Sequence, residues 1–223
     1  MPHWRALRED LADLVLARAC AGCESPGTVL CTSCWAVLTR DLVEHDLPDG
    51  TQALAGTSYR GIGKSVVIAH KEHGWHALTP MLGILLARAV TALTDAPVAL
   101  VPIPPHAHSL ARRGTDPLAD IVDSAVRSLR AIGQPATRVP LLVRSRDHVS
   151  MKHLAREQRR QAIALSFTIG PRHGNESGEI VIVDDVITTG TTVTEARRAL
   201  EGAGSAVCGT AAVASTPLRG GLR

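Results

Sequence analysis

Apolar and polar positions alternate along this chain in blocks that change period several times. The first block, residues 1–20, places Leu7, Leu11, Leu14 and Val15 at helical spacing among charged residues, which predicts an amphipathic helix. A short helical turn follows at Trp35–Leu42, and Pro48-Asp49-Gly50 marks a turn and a boundary. Beyond it, Lys64–Ala69 reads as an apolar strand. A helix runs from about Pro80 to Leu93, with Thr79 as its cap and Pro80 in its first turn. Val98–Ile103 is a strand ending in prolines. Asp116-Pro117 opens a helix whose Leu118, Ile121, Val122, Ala125, Val126 and Leu129 recur at three and four, up to Gly133. Strands at Val139–Val143, Ile180–Val183 and Ala206–Val213 follow, with a helix over about Thr192–Ala203 stopped by Gly204. Strands that are apolar throughout, alternating with helices, predict an α/β fold with a mostly parallel, doubly wound sheet.

Composition narrows this picture. The 223 residues are 45% hydrophobic and 20% charged, as in a folded domain, with a net charge of +3 that makes no general magnet for nucleic acid or membrane. Five aromatic residues leave no extended platform for stacking bases. The longest apolar run, Met81–Leu93, is interrupted by Arg88 and falls short of a membrane span, so no membrane insertion is expected. The N-terminus lacks the uninterrupted apolar core of a secretory signal, and a cytoplasmic location is expected. Its amphipathic helix offers an interface for a homo-oligomer.

Four of the five cysteines crowd into fifteen positions: Cys20-x2-Cys23, seven residues, then Cys31-x2-Cys34. Two such knuckles place four sulfur ligands around one tetrahedral ion, as a structural zinc site requires. Disulfides are disfavoured in a reducing cytoplasm, and a redox dithiol leaves the second pair unexplained. The expected organisation is a helix and zinc knuckle over 1–48 and an α/β domain over 49–223. Cys208, in a Val/Ala-rich strand, reads as a small buried filler. The histidines, without metal-binding spacing, read mostly as surface residues.

The sharpest chemical signal is the run from Ile180 to Val193. Four β-branched residues lead into Asp184-Asp185, and Thr188-Thr189-Gly190-Thr191-Thr192 then feeds a helix. Hydroxyls and backbone N–H groups at a helix N-terminus form a phosphate cradle, and paired carboxylates suit a diol. Thr192 with Glu195 fits a capping box.

This segment resembles the signature of type I phosphoribosyltransferases, which bind 5-phosphoribosyl-1-pyrophosphate (PRPP). The resemblance implies that Asp184 and Asp185 hold the ribose hydroxyls and Thr188, Thr189, Gly190, Thr191 and Thr192 the 5′-phosphate. The cysteine knuckle, Val101-Pro102-Ile103-Pro104 and Arg113-Gly114 narrow it to a resemblance to the ComF family, phosphoribosyltransferase-like proteins associated with competence and DNA uptake, over about Cys20–Thr216. Tyr59, Lys71, Arg144, Leu154, Arg159 and Phe167 are weaker landmarks. That family usually continues Arg-Gly with Phe-Asn-Gln; here Thr115-Asp116-Pro117 stands, and Met151 and Ala162 replace a usual Gln and Asn.

The resemblance implies binding of PRPP or a related nucleoside or ribose phosphate with magnesium. It also implies transfer of the phosphoribosyl group to an unspecified acceptor, with release of pyrophosphate. Arg113 and Gly114 would contact the pyrophosphate, with Arg144, Arg146 and Lys152 from the cationic segment 144–160. No catalytic residue is assigned. The alternative is a non-catalytic nucleotide-sensing adaptor in DNA uptake that binds single-stranded DNA or a protein. The knuckle from Cys20 to Trp35 has no Lys or Arg, which favours protein docking or structural support over DNA contact there.

Overall fold

A computed structural model describes residues 19–105, 115–144, 166–170 and 178–216. The predicted N-terminal helix lies outside these residues except for its last two, 19 and 20, which are not helical. After the cysteine segment, helix α1 (Thr32–Leu38) leads into strands β1 (Val43–Asp46) and β2 (Gln52–Ser58). Helix α2 (Gly61–His73), a 3-10 turn at His76–Leu78 and helix α3 (Thr79–Leu93) come next. Then follow β3 (Val98–Pro102), α4 (Pro117–Ala131), β4 (Ala136–Arg138), β5 (Leu142–Arg144), β6 (Phe167–Ile169), β7 (Glu179–Ile187), α5 (Thr191–Gly202) and β8 (Val207–Ser215).

Six strands form one sheet in the order β1-β2-β8-β7-β3-β4, parallel except for the β1–β2 hairpin. This is the expected mostly parallel α/β sheet, with a cysteine cluster ahead of it. The central strands are buried on both faces: all five residues of β3 are inaccessible, as are Val181, Ile182 and Val183 of β7. One continuous apolar core runs from Cys20, Leu30, Cys34 and Leu38 to the Ala211–Ala214 run of β8.

The order places a topological switch beside β7. From β3 the chain moves outward through α4 to β4, and from β7 it moves the other way through α5 to β8. Neighbouring loops therefore diverge at the carboxyl ends of β3 and β7, leaving a crevice of the kind in which open α/β sheets bind ligands.

Several expected elements take another form. Lys64–Ala69 is not a strand but the middle of α2. Its buried Gly63, Val66, Val67 and His70 follow helical spacing, and Gly74, at φ 67°, ends the helix. The expected strand Val139–Val143 breaks at Pro140. Val139 still donates to the Leu100 carbonyl, but Leu142–Arg144 leaves to pair antiparallel with Phe167–Ile169. Thr79 does not cap α3: the cap position is Leu78, and the Thr79 hydroxyl instead meets His70 Nε2 at 2.9 Å. The residues His76–Leu93 form one stretch of mean hydropathy 1.4, long and apolar enough to cross a membrane and longer than expected. Its Leu82, Leu85, Leu86, Ala89 and Val90 are buried against the sheet and α4. The hairpin β1–β2 was not predicted; its turn is the Pro48-Asp49-Gly50 boundary, where Asp49 Oδ1 accepts from the Thr51 N–H and hydroxyl.

Candidate functional site

Five polypeptide segments build the crevice: α2 at Lys71, the chain after β3, the start of α4, the end of β5 at Arg144, and β7 with the loop after it. Strand β7 runs past the end of β3: its last partner there is Pro102, opposite Val183, whereas on the other side Asp184 still pairs with Ala212 and Ile187 with Ser215. Asp184 and Asp185 are thus fixed by the sheet on one flank and open to the crevice on the other. Asp184 Oδ1 accepts from the Asp185 N–H at 2.8 Å. Burial, with the adjacent Asp185 carboxylate, pushes Asp184 up to about 8, against the pull of Lys71.

The loop after β7 turns at Gly190, whose φ of 73° is the left-handed conformation that glycine adopts without strain. A Cβ there would lie 2.5 Å from Leu47 Cδ2, so the β1–β2 turn packs directly on this loop. Helix α5 starts at Thr191 with Gly190 as its cap, and the first intrahelical bond joins the Thr194 N–H to the Gly190 carbonyl. The N–H groups of Thr191, Thr192 and Val193 are left without an intrahelical acceptor. The expected Thr192–Glu195 capping box gives way to this arrangement, because both carboxylate oxygens of Glu195 accept from Arg198 at 2.7 Å. A cavity of about 30 Å³ lies inside the loop, lined by Asp184, Val186, Ile187, Thr188, Thr189, Gly190, Thr192 and Val193.

A larger cavity of about 240 Å³ shares Asp184, Val186 and Thr192 with it. Ile103, Pro104, Pro105, Pro117 and Leu118 form its apolar wall, and Lys71, Arg144, Asp116 and Asp185 its charged one. Arg144 is fixed there: its Nε donates to the Pro104 carbonyl at 2.9 Å and its guanidinium lies 4.9 Å from the centre of the Phe167 ring. Burial lowers its basicity, while Asp184 acts in the opposite direction. Asp116 caps α4 by accepting from the Leu118 N–H at 3.1 Å, and burial raises its carboxyl above the usual range. Of the expected site residues, the crevice gathers Asp184, Asp185, Thr188, Thr189, Gly190, Thr192 and Arg144; Thr191 meets Thr189 hydroxyl to hydroxyl at 3.1 Å. Arg113, Gly114, Arg146 and Lys152 lie outside the described residues. Lys71, which the sequence flagged only as a landmark, is ion-paired with Asp185.

The cysteines form a second cluster. The sulfur atoms of Cys20, Cys23, Cys31 and Cys34 all lie within 4.8 Å of one another, and those of Cys23 and Cys31 are 3.7 Å apart. A tetrahedral zinc with bonds of about 2.3 Å sets its sulfurs about 3.8 Å apart, so this donor set fits zinc. Gly22 and Cys31 donate backbone N–H groups to Cys20 Sγ, and Cys34 donates to Cys31 Sγ. Desolvation opposes a thiolate at Cys20, but these N–H groups outweigh it and bring the thiol down to about 6. A Cβ on Gly22 would sit 2.7 Å from Cys34 Sγ and 2.8 Å from Ile62 Cγ2, so the cluster rests on the first turn of α2.

Two expectations about lone residues are corrected. Cys208 is exposed at the start of β8 and donates to Glu179 Oε2 at 3.0 Å. It is the extra residue at a register shift between the paired Val207 and Gly209, which leaves it outside the packed layer. His45 and His70 are buried, not superficial, because each has a polar partner: Thr216 carbonyl for His45 Nδ1 at 3.1 Å, Thr79 for His70.

Residues 149–221 match the phosphoribosyl transferase domain. That stretch, about a third of the chain, carries β6, β7, α5 and β8, and with them the acid pair and the Thr/Gly loop. No curated protein matches the chain. Among solved structures, it is similar to the allosteric regulatory enzyme of purine biosynthesis, at 23% identity and TM-score 0.35, covering 62% of this chain and 26% of that one. Adenine phosphoribosyltransferase from Leishmania donovani is similar at 14% identity and TM-score 0.37, covering 82% and 68%. Glutamine PRPP amidotransferase from B. subtilis is similar at 22% and TM-score 0.30, covering 56% and 24%. The chain thus spans about a quarter of the length of the first and third.

Proposed function

We propose that the chain binds PRPP, or a closely related ribose phosphate, with magnesium and transfers the phosphoribosyl group to an acceptor, releasing pyrophosphate. The observation that carries this reading is the convergence of the acid pair, the Gly190 loop and Arg144 on one crevice at the sheet's switch point. Asp184 and Asp185 accept hydrogen bonds from the ribose hydroxyls. The N–H groups and hydroxyls of Thr188–Thr192 donate to the 5′-phosphate, where the α5 N-terminus favours negative charge. Arg144, with Arg113, Gly114, Arg146 and Lys152, meets the pyrophosphate. The carboxylate oxygens of Asp184 and Asp185 are hard donors of the kind magnesium prefers, and magnesium, when bound, offsets charge on the leaving pyrophosphate. In the transfer, the C1′–pyrophosphate bond breaks as the acceptor's lone pair bonds to C1′. Fixed donors in the crevice stabilise the departing charge.

Zinc in the cysteine cluster is structural in this reading: four thiolates close the coordination sphere and leave no position for substrate. The knuckle, the Val101–Pro104 strand end and Arg113-Gly114 support a ComF-like protein, and reduced cysteines suit the cytoplasm. Calorimetric titration with PRPP and magnesium tests the ligand. Saturable binding abolished by Asp184→Asn is expected, and no heat of binding would end the reading. Pyrophosphate release is then measured with a panel of bases and amines. Binding without release from any of them would move the function to nucleotide sensing, for which a salt-dependent shift of single-stranded DNA is the next measurement.

A further inference from the structure

A further cavity, of about 260 Å³, opens between α1, the start of β1, the end of β2 and the first turn of α2, and shares no residue with the crevice. Val37, Leu38, Val43 and Ile62 give it an apolar lining, and Arg40, Asp41 and Arg60 add charge of both signs. Leu38 is buried, whereas Val37 is 51% exposed; Leu42, between two lining residues, is exposed as well. These are two of the five large apolar side chains left in solvent among the described residues, and they stand beside one groove. Apolar side chains gathered round an open groove mark a surface that something covers.

The chain carries a cover next to it. Ile62 lines the groove and also meets the cysteine cluster, where a Cβ on Gly22 would lie 2.8 Å from its Cγ2. The chain enters that cluster at Ala19, and Cys20 is tied down by its N–H to the Ser25 carbonyl at 2.7 Å. Arg18 is therefore at most four residues, about 14 Å of extended chain, from Gly22. As a helix, residues 1–18 reach about 27 Å, enough to cross the groove. In that helix Trp4, Leu7, Leu11, Leu14 and Val15 form one apolar stripe. Asp10 and Asp13 fall to one side of the stripe and Arg5 and Arg8 to the other, which supplies counterparts for Arg40, Arg60 and Asp41. Leu16 falls on the opposite face. An isolated helix of this length is marginal in water and gains most of its stability from a packed face.

We propose that residues 1–18 fold back as an amphipathic helix and dock their apolar stripe in this groove of their own chain. The attachment point decides between the same chain and a second copy. A tether this short sets an effective concentration of about a millimolar, well above that of a second copy in micromolar solution. The docked helix covers Val37 and Ile62 and lies against the cysteine cluster. This surface is independent of the ribose-phosphate reading of the crevice.

Hydrogen exchange of the full chain, read by mass spectrometry at micromolar concentration, tests the docking with three variants. Leu14→Asp puts a charge into the stripe. It should speed exchange several-fold in residues 37–43 and at the start of α2, with β7 unchanged as the measure of an intact fold. Leu16→Asp puts the same charge on the opposite face and should keep the wild-type pattern. Val37→Asp, at a half-exposed position, should instead speed exchange in residues 4–15. Equal effects of Leu14→Asp and Leu16→Asp, or none from either, overturn the docking. Protection of residues 4–15 that survives Val37→Asp overturns it too. Light scattering at the same concentration should give the mass of a monomer. A dimer that Leu14→Asp dissociates would assign the groove to a second copy and overturn the proposal.

Discussion

Gly190→Ala tests the packing of the phosphate loop. The residue stands at φ 73°, and an added Cβ would meet Leu47 Cδ2 at 2.5 Å and Pro48 Cδ at 3.0 Å. Forcing a residue with a Cβ into the left-handed region costs about 1–2 kcal/mol, of which about 0.4–1 kcal/mol is offset by a less flexible unfolded chain. Displacing Leu47, which is buried, adds about 1–3 kcal/mol of overpacking. The sum is a loss of about 1–5 kcal/mol, and its midpoint of about 3 kcal/mol is a fall in Tm of about 6–12 °C for a chain of this size. Gly133→Ala is the internal control: φ is 89°, but nothing lies within 4 Å of the added atom, so only the backbone part applies. Urea unfolding of both variants, compared at equal m-value, reads the difference directly. Ribose 5-phosphate affinity should fall in the first variant and hold in the second. Equal stabilities for the two would refute the claim that the β1–β2 turn braces this loop.

Asp184→Asn should stabilise the ligand-free protein at alkaline pH. A carboxyl raised from about 4 to about 8 contributes stability below its unfolded value that is lost as pH rises through the folded one. His70, lowered by burial to about 4, acts the other way below pH about 6.5. Cys20, lowered to about 6, does so up to about 9 but equally in both proteins, so the difference between wild type and variant from about 6.5 to 8 isolates Asp184. There, Tm of the wild type should decline relative to the variant, and parallel curves would contradict the assignment. Zinc should be recovered at one ion per chain by elemental analysis and lost in Cys34→Ser, whose sulfur is buried in the core; a chelator should lower Tm, and an unchanged Tm with zinc absent would refute a structural role. Gly56→Ala would place a Cβ 2.1 Å from the Leu85 carbonyl oxygen, at the contact of β2 with α3. A loss of about 3 kcal/mol or more, or failure to fold, is expected by thermal melting; a near-native Tm would mean the two elements separate freely.

Much of the site was legible because its signals are local. A β-branched strand, two acids, a Thr/Gly turn and a helix follow one another without interruption between Ile180 and Val193, and their order alone fixes the geometry. The cysteine spacing was equally self-contained. What escaped was set by distant parts of the chain. Lys71 reaches Asp185 only because helix α2 carries it to the crevice, and the β-branched run Val66–Ile68 concealed that helix. Val66, Val67 and His70 carried its period, but two adjacent valines read as strand. The split of Val139–Val143 depended on Phe167–Ile169 arriving as a partner. Cys208 has strand-like neighbours, yet it is the extra residue at a register shift between the paired Val207 and Gly209, which leaves it in solvent. Gly190 took the cap because only glycine fits that turn against Leu47, a contact between residues far apart in sequence.

The position of β8 has a consequence for the order in which the molecule can assemble. Among the described residues it is the last strand of the sheet in sequence, yet it sits between β2 and β7, with Ala53 opposite Thr210 and Ile182 beside it on the other flank. During synthesis the β1–β2 hairpin and the cysteine cluster emerge before β8, so β2 has no permanent partner on its inner side until β8 is made. The nascent chain therefore carries two separated half-sheets whose facing edges wait to be joined, a state open to pairing with other chains. Closing them requires contacts of long sequence separation, which slows folding. Metal capture by the four cysteines is the early event available to hold the first half in place. Asp184 pairs with Ala212 of β8, so the acid pair gains its support on that flank only once β8 has joined the sheet.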